Sequence, residues 1–431
     1  MNRTIFEYES RFYGYLDMLA EASGHQDRHK PLRNYIMGLC LPGKRKSIEP
    51  MAARVDSFNV RARHQSMHHF VANAPWDDIE PLRVARNQVL EQMERHGGVA
   101  GWLIDDTGMP KKGNHSVGVA RQYCGVLGKQ ENCQVAVSLS IANEAASIPV
   151  AYRLYLPESW AGDDTRRRRA GVPEDITFHK KWEIALEQVA WLRDEGVPDA
   201  PVIADAGYGN VTEFRDKLTE MKSPYVVGIH CDTTVWLPGM EPLKPTKGSG
   251  RGRPPVRLCR NEKHRPIDVM ALAKRIPTSA WHDLTWREGT KGKMHSRFAV
   301  LRVRPAHNDF NMHEPRPEEW LLIEWPKNES APTKFWLSTM PPDTSIDQLI
   351  RLAKMRWRIE RDYQELKDEF GLDHYEGRCW RGFHHHATLC IAAYAFVAAE
   401  RARLSPPQPL SFLKVAPLPR GFKPRGSPCP T

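Results

Sequence analysis

The chain has 431 residues, 41% of them hydrophobic and 9% aromatic, and carries 62 Lys and Arg against 52 Asp and Glu, a formal charge of +10. That length allows two or three domains with cores of their own, and the apolar content excludes a disordered chain. The positive surplus favours a polyanionic partner, nucleic acid above all. The longest apolar run, "ATLCIAAYAFVAA" (387–399), is too short to span a bilayer and predicts a buried helix. "MNRTIFEYESRFYGYL" at the N-terminus carries acids among its aromatics and no signal-peptide pattern, so the expectation is a cytoplasmic protein without a membrane partner. The eight cysteines are scattered with no Cys-x-x-Cys pair, which favours reduced thiols over disulfides or structural zinc.

Residues 1–97 read as an all-α module with Lys and Arg around short helices, a predicted helical DNA-binding domain. Its clearest element is "WDDIEPLRVARNQVLEQMERHGG" (76–98), where Ile79, Leu82, Val89 and Met93 recur at near-helical spacing between an Asp start and a Gly-Gly stop. From Val99 the period falls to two. "VAGWLID", "CQVAVSLSIAN" (133–143) and "IPVAYRLYLP" (148–157) predict three strands of an antiparallel meander. A helix over 177–196, the short strand "APVIADAGYG" (200–209), the helix "VTEFRDKLTEM" and the strand "YVVGI" follow. This order predicts an α/β domain on a mixed sheet over 98–229.

Residues 230–335 read as a β-rich insertion. It opens with the Pro/Gly-rich basic loop "KPTKGSGRGRPPVR" (244–257) and continues through "WHDLTWREG", "HSRFAVLRVRP" and "EWLLIEWP". The strand "TKFWLST" lies at its end, and helix returns over 345–371 and 384–403 to give a second, helical part of the core over 336–405. The proline-rich basic tail, 406–431, reads as disordered.

Asp105 and Asp205 occupy equivalent places, each after a short apolar strand, where open α/β sheets bind ligands. A third carboxylate is needed to hold two divalent metals, and the helix over 345–371 offers one. There Arg356, Glu360, Tyr363, Gln364 and Lys367 share one face. On that helix alone, a solvated ladder of salt bridges is the simpler reading.

"IDDTGMPKKG", "ADAGYG" and "RWRIERDYQELKDEFGLDHYEGR", in that order with a β-rich interruption before the last, resemble bacterial insertion-sequence transposases of the DDE type. The resemblance runs from the basic helices near residue 30 to about residue 400. It implies an α/β ribonuclease-H-like core interrupted by the β-rich insertion and preceded by the all-α domain. In the branch with such an insertion, the third acid sits in the pattern Y-x-x-R-x-x-x-E-x-x-x-x-x-x-K. Arg356, Glu360 and Lys367 match it, whereas Ala353 stands at the tyrosine position. By that resemblance Asp105, Asp205 and Glu360 bind two metal ions, Mg²⁺ or Mn²⁺, and Arg356 and Lys367 contact phosphates at the transposon end. The family's Asp-x-Thr motif selects Asp105 with Thr107. Asp106 stays open as the alternative, because strand alternation sends the two side chains to opposite faces.

The chemistry suits these residue types. Two hard divalent ions roughly 3.5–4 Å apart take oxygen ligands and promote in-line phosphoryl displacement. Lys111 and Lys112 would offset the repulsion between DNA phosphate and the acids. "GRGRPP" (250–255) resembles an AT-hook core, in which Arg251 and Arg253 would enter a narrow minor groove. "RRRR" (166–169) is a candidate backbone contact. "HHH" (384–386) cannot converge on one ion from consecutive helical positions. Trp286, Trp325 and Trp336 could stack on an extruded base, but core packing is the simpler reading.

The sequence thus predicts a DNA transposase that cuts at inverted-repeat ends and joins the freed 3′-hydroxyls to target DNA. A homodimer is expected on double-stranded DNA, because two ends must be synapsed, and the enzyme is nucleoid-associated when acting. The alternatives are a non-catalytic DNA-binding regulator and a metal-dependent nuclease without strand transfer.

Overall fold

The computed structural model describes residues 3–245, 256–289 and 292–406. Arg251, Arg253 and the tail beyond 406 lie outside the described residues.

Among the described residues, five α-helices precede the first strand: α1 (Arg3–Ala22), α2 (His29–Cys40), α3 (Ile48–Val55), α4 (Val60–Ala72) and α5 (Ile79–Glu94). Each buries a narrow apolar stripe, such as Met67, Phe70 and Val71 on α4. Helix α5 starts where the Asp77 carboxylate accepts the Ile79 N–H at 2.9 Å. It is followed by Gly97 and Gly98, whose φ angles of +90° and +82° suit glycine.

The strands among the described residues are β1 (Gly101–Pro110), β2 (Ala120–Cys124), β3 (Lys129–Ala142), β4 (Ser147–Leu154), β5 (Val202–Ala204), β6 (Tyr225–Ile229), β7 (Thr234–Trp236), β8 (Ile267–Asp268), β9 (His282–Gly289), β10 (Gly292–Pro305), β11 (Glu319–Trp325) and β12 (Lys334–Ser338). They form one mixed sheet in the order β2-β3-β1-β5-β6-β12-β11-β10-β7-β8, with β4 on β3 and β9 on β10. Pairings β1–β5 and β5–β6 are parallel and the others antiparallel. The strands of the 230–335 region extend the same sheet, because β12 pairs with β6 along Phe335↔Ile229 to Ser338↔Val226.

Between the strands lie α6 (Glu158–Ala161), α7 (Asp164–Ala170), α8 (Lys181–Asp194), α9 (Ala206–Gly209), α10 (Thr212–Glu220) and α11 (Val269–Ala273). The chain then forms α12 (Ile346–Lys354), α13 (Trp357–Asp368) and α14 (Trp380–Leu404). The helix expected over 345–371 is therefore two, separated at Met355 and Arg356. Nothing in "LAKMRWRIE" signals the break, which follows from tertiary pull. Met355 is buried, and its sulfur lies against Gly101, while Arg356 reaches for carboxylates.

The apolar run at 387–399 lies within α14, which is buried along most of its length. This helix joins the N-terminal module to the sheet. Tyr15 donates to the Ala392 carbonyl at 2.9 Å, Arg11 Nε to Glu400 at 2.9 Å, and Tyr35 Oη lies 2.8 Å from His386 Nδ1. No helix among the described residues is long and apolar enough to cross a membrane.

Candidate active site

The parallel register Trp102↔Val202 and Leu103↔Ile203, carried two residues further, brings Asp105 on β1 beside Asp205 just past β5. Asp205 caps α9, its Oδ1 accepting the Gly207 N–H at 2.8 Å and the Tyr208 N–H at 3.3 Å, which leaves Oδ2 free of the cap. Strand β6 approaches that turn closely. A Cβ on Gly228 would stand 2.9 Å from the Ala206 nitrogen, so only glycine fits there without a shift.

Asp105 is nearly buried, its Oδ2 accepting from Arg356 Nη2 at 2.8 Å. Burial pushes its carboxyl up to about 6; Arg356 opposes the shift, and the nearby charges of Asp205 and Asp106 add to it. Asp106 behaves differently, forming an ion pair with Lys181 on α8. The geometry therefore separates the two adjacent aspartates, as strand alternation requires.

Glu360 sits in the first turn of α13 with its side chain 64% exposed. Its Oε1 lies 3.7 Å from Arg356 Nη2, and Arg356 Nη1 lies 3.8 Å from Asp205 Oδ2. One guanidinium thus touches three carboxylates that are distant in sequence. Helix α13 is held for this by polar bonds along its length. Tyr363 hydrogen-bonds Ser138, the residue opposite Asp105 in the β1–β3 register. Asp362 accepts from Ser147 at 2.5 Å and Tyr394 at 2.8 Å, and Lys367 donates to the Gly108 carbonyl at 3.0 Å.

The remaining predicted residues are placed as follows. Lys111 donates to the Tyr375 carbonyl at 2.8 Å, and burial pushes both its ammonium and that of Lys367 below the ordinary lysine range. Lys112 is exposed. In the arginine run, Arg166 lies over the Trp160 ring at 3.8 Å and Arg167 donates to backbone carbonyls. The three histidines are core residues on α14. Trp286 and Trp336 line a groove of about 600 Å³ that also reaches Asp205, Arg356 and Glu360. Trp325 lies outside it, edge-on to Trp281 at 5.3 Å.

Sequence reasoning missed Lys181, Ser138 and Asp362. Lys181 carried no signal beyond a helix start, and the two others become visible only through pairing. Among the described residues, no three His, Cys, Asp or Glu side chains are arranged to hold a metal ion. The donor chemistry nevertheless fits one. Three carboxylates surround a single cation, and hard divalent ions take oxygen donors of this kind.

Residues 12–293, more than half of the chain, match the family described as DDE superfamily endonuclease. That stretch includes Asp105 and Asp205 and ends before Glu360. The chain is also similar to a probable transposase for insertion sequence element IS701 from Microchaete diplosiphon, with 33% identity over 187 residues, 43% of this chain and 45% of that relative. The similarity thus spans less than half the length of the relative. On the strength of the family match, the chain belongs to the DDE superfamily endonucleases.

Proposed function

We propose that the protein is a DNA transposase with a ribonuclease-H-like core, cutting at the inverted-repeat ends of an insertion sequence and transferring the 3′-hydroxyl ends to target DNA. The observation that carries this reading is the meeting of Asp105, Asp205 and Glu360 around Arg356. Asp105, Asp205 and Glu360 would hold two divalent ions, Mg²⁺ or Mn²⁺. Such ions, when bound, activate the attacking oxygen and stabilise the leaving oxygen of an in-line displacement. The chain's own groups bind and orient the DNA. Lys111 and Lys367 each keep N–H groups beyond the one given to a carbonyl, and Lys112 faces solvent, so all three can meet phosphate.

A route for the duplex starts at α4. Its outward residues Arg61, Gln65, His68 and His69 are exposed, and the helix contains no acid. From α4, two clefts of about 550 and 360 Å³ share His374, Tyr375, Glu376 and Arg378 and lead to Lys111 and Lys112. In this reading α4 contacts the terminal repeat, and Arg251 and Arg253 add minor-groove contacts. Two protomers would synapse the two ends.

The test is a cleavage and joining assay on the element's end DNA with Mg²⁺, using wild type and Glu360→Gln. Wild type should cut and join, and the variant should bind ends without cutting. Cutting without joining would instead indicate a nuclease, and end binding without cutting by wild type a non-catalytic regulator.

A further inference from the structure

We propose that Arg356 is an internal stand-in for the divalent ions: its guanidinium gathers Asp105, Asp205 and Glu360 before metal arrives and has to leave as metal binds. The inference rests on the metal-binding reading above.

Three ionised carboxylates brought together carry three negative charges, and without a cation they repel one another. Arg356 supplies one positive charge, with its two terminal nitrogens at 2.8, 3.8 and 3.7 Å from the three acids. A guanidinium has N–H donors and no lone pair to offer, so it cannot share a metal; it competes for the same oxygens. Asp105 shows the conflict most directly. One of its oxygens accepts the Asp106 N–H at 2.9 Å, and the other is taken by Arg356 at 2.8 Å. The arginine thus occupies oxygens of all three acids at once.

The arginine is also placed to move. It stands at the break between α12 and α13 as the N-cap residue of α13, its carbonyl accepting the Glu360 N–H at 3.4 Å. Among the described residues its buried Nε has no acceptor, and the acids hold the group by its two terminal nitrogens. Glu360 is mostly exposed, and the groove of about 600 Å³ opens beside both residues. Displaced into that groove, the guanidinium is released from the acids and its N–H groups are free to donate to a phosphate. Loading of metal and presentation of a phosphate-binding group are then one event, with the same side chain serving first the acids and then the DNA.

The experiment is a calorimetric Mn²⁺ titration of the full chain without DNA, comparing wild type, Arg356→Gln, Arg356→Lys and Asp205→Asn. Asp205→Asn should abolish binding that wild type shows. Arg356→Gln should bind Mn²⁺ about tenfold or more tightly than wild type, the scale at which close charge pairs couple. It should also melt at lower temperature than wild type without metal and recover when Mn²⁺ is added. If Arg356→Gln does not fold, Arg356→Lys serves instead, because a point charge spans fewer acids and should also tighten binding. Unchanged or weaker binding in the Arg356 variants, with Asp205→Asn still losing it, overturns the stand-in role and leaves the metal site intact. Binding that ignores Asp205 overturns both.

Discussion

The neighbouring residues Asp105 and Asp106 carry the same group into different surroundings. Asp105 meets Arg356, Asp205 and Glu360 through one cluster of charge, whereas Asp106 is spent on Lys181. Asp105→Asn should therefore lower DNA cleavage by at least about a thousandfold with end binding retained. Asp106→Asn should cut at close to the wild-type rate and lose no more than about 1 kcal/mol of stability, since its ion pair is partly exposed. A cleavage time course on both variants checks this, and equal losses would refute the distinction. In the sequence the Asp-x-Thr resemblance favours Asp105, while alternation alone says only that the two face apart; which partners each meets follows from the register of β1 on β5, a long-range fact.

Histidine 386 makes a second case at this scale. It is buried on α14 between Tyr35 and the Gly371 carbonyl, and burial pushes it down to about 4. It is neutral in the fold, so the unfolded chain takes up the proton first. The associated stability is fully present above about 6.5 and is lost as pH falls from there through about 4. His386→Gln should flatten the acid side of a urea-stability profile by about one proton, about 1.4 kcal/mol per pH unit. Identical slopes in the two proteins would contradict that assignment. The run of three histidines could be read as unable to chelate one ion, but its burial depended on which face of α14 the N-terminal helices cover.

Among the elements, α14 and the α12–α13 pair do most to position the site. Phe396 on α14 receives the rings of Tyr8, Phe12 and Tyr15 from α1 at 5.3, 5.0 and 5.7 Å. Phe396→Ala should cost about 3–5 kcal/mol in urea unfolding by opening a cavity there. A loss under about 1 kcal/mol would show that α1 adds little to the core. The run at 387–399 announced this helix through its apolar content alone. The strands carrying Asp105 and Asp205 were equally legible, because alternation and short apolar runs are local signals. Strand β2 was not, since "ARQYC" is short and mixed, and its pairing with β3 is what makes it a strand. Nor was the break before α13 legible, where good helix formers run through it and burial of Met355 decides.

At the scale of the molecule, the strands of 230–335 continue the core sheet across β6 and β12, so the groove beside the acids is walled by residues from both regions. The net charge of +10 acts over the same scale. End binding should weaken linearly in log–log form with salt, with a slope of about −0.9 for each phosphate neutralised. Lys112→Ala should reduce that slope by about 1 for any duplex, while Gln65→Ala on α4 should weaken binding to the cognate end alone, by about 1–3 kcal/mol. A slope indifferent to Lys112, or equal losses on all sequences from Gln65→Ala, would remove those residues from the DNA route.

The most direct test is anomalous diffraction from crystals of the protein with end DNA and Mn²⁺. The account predicts manganese peaks within ligand distance of the carboxylates of Asp105, Asp205 and Glu360, with Arg356 turned away from them. Manganese on Asp106, or Glu360 left outside the coordination of every ion near Asp105 and Asp205, would contradict it.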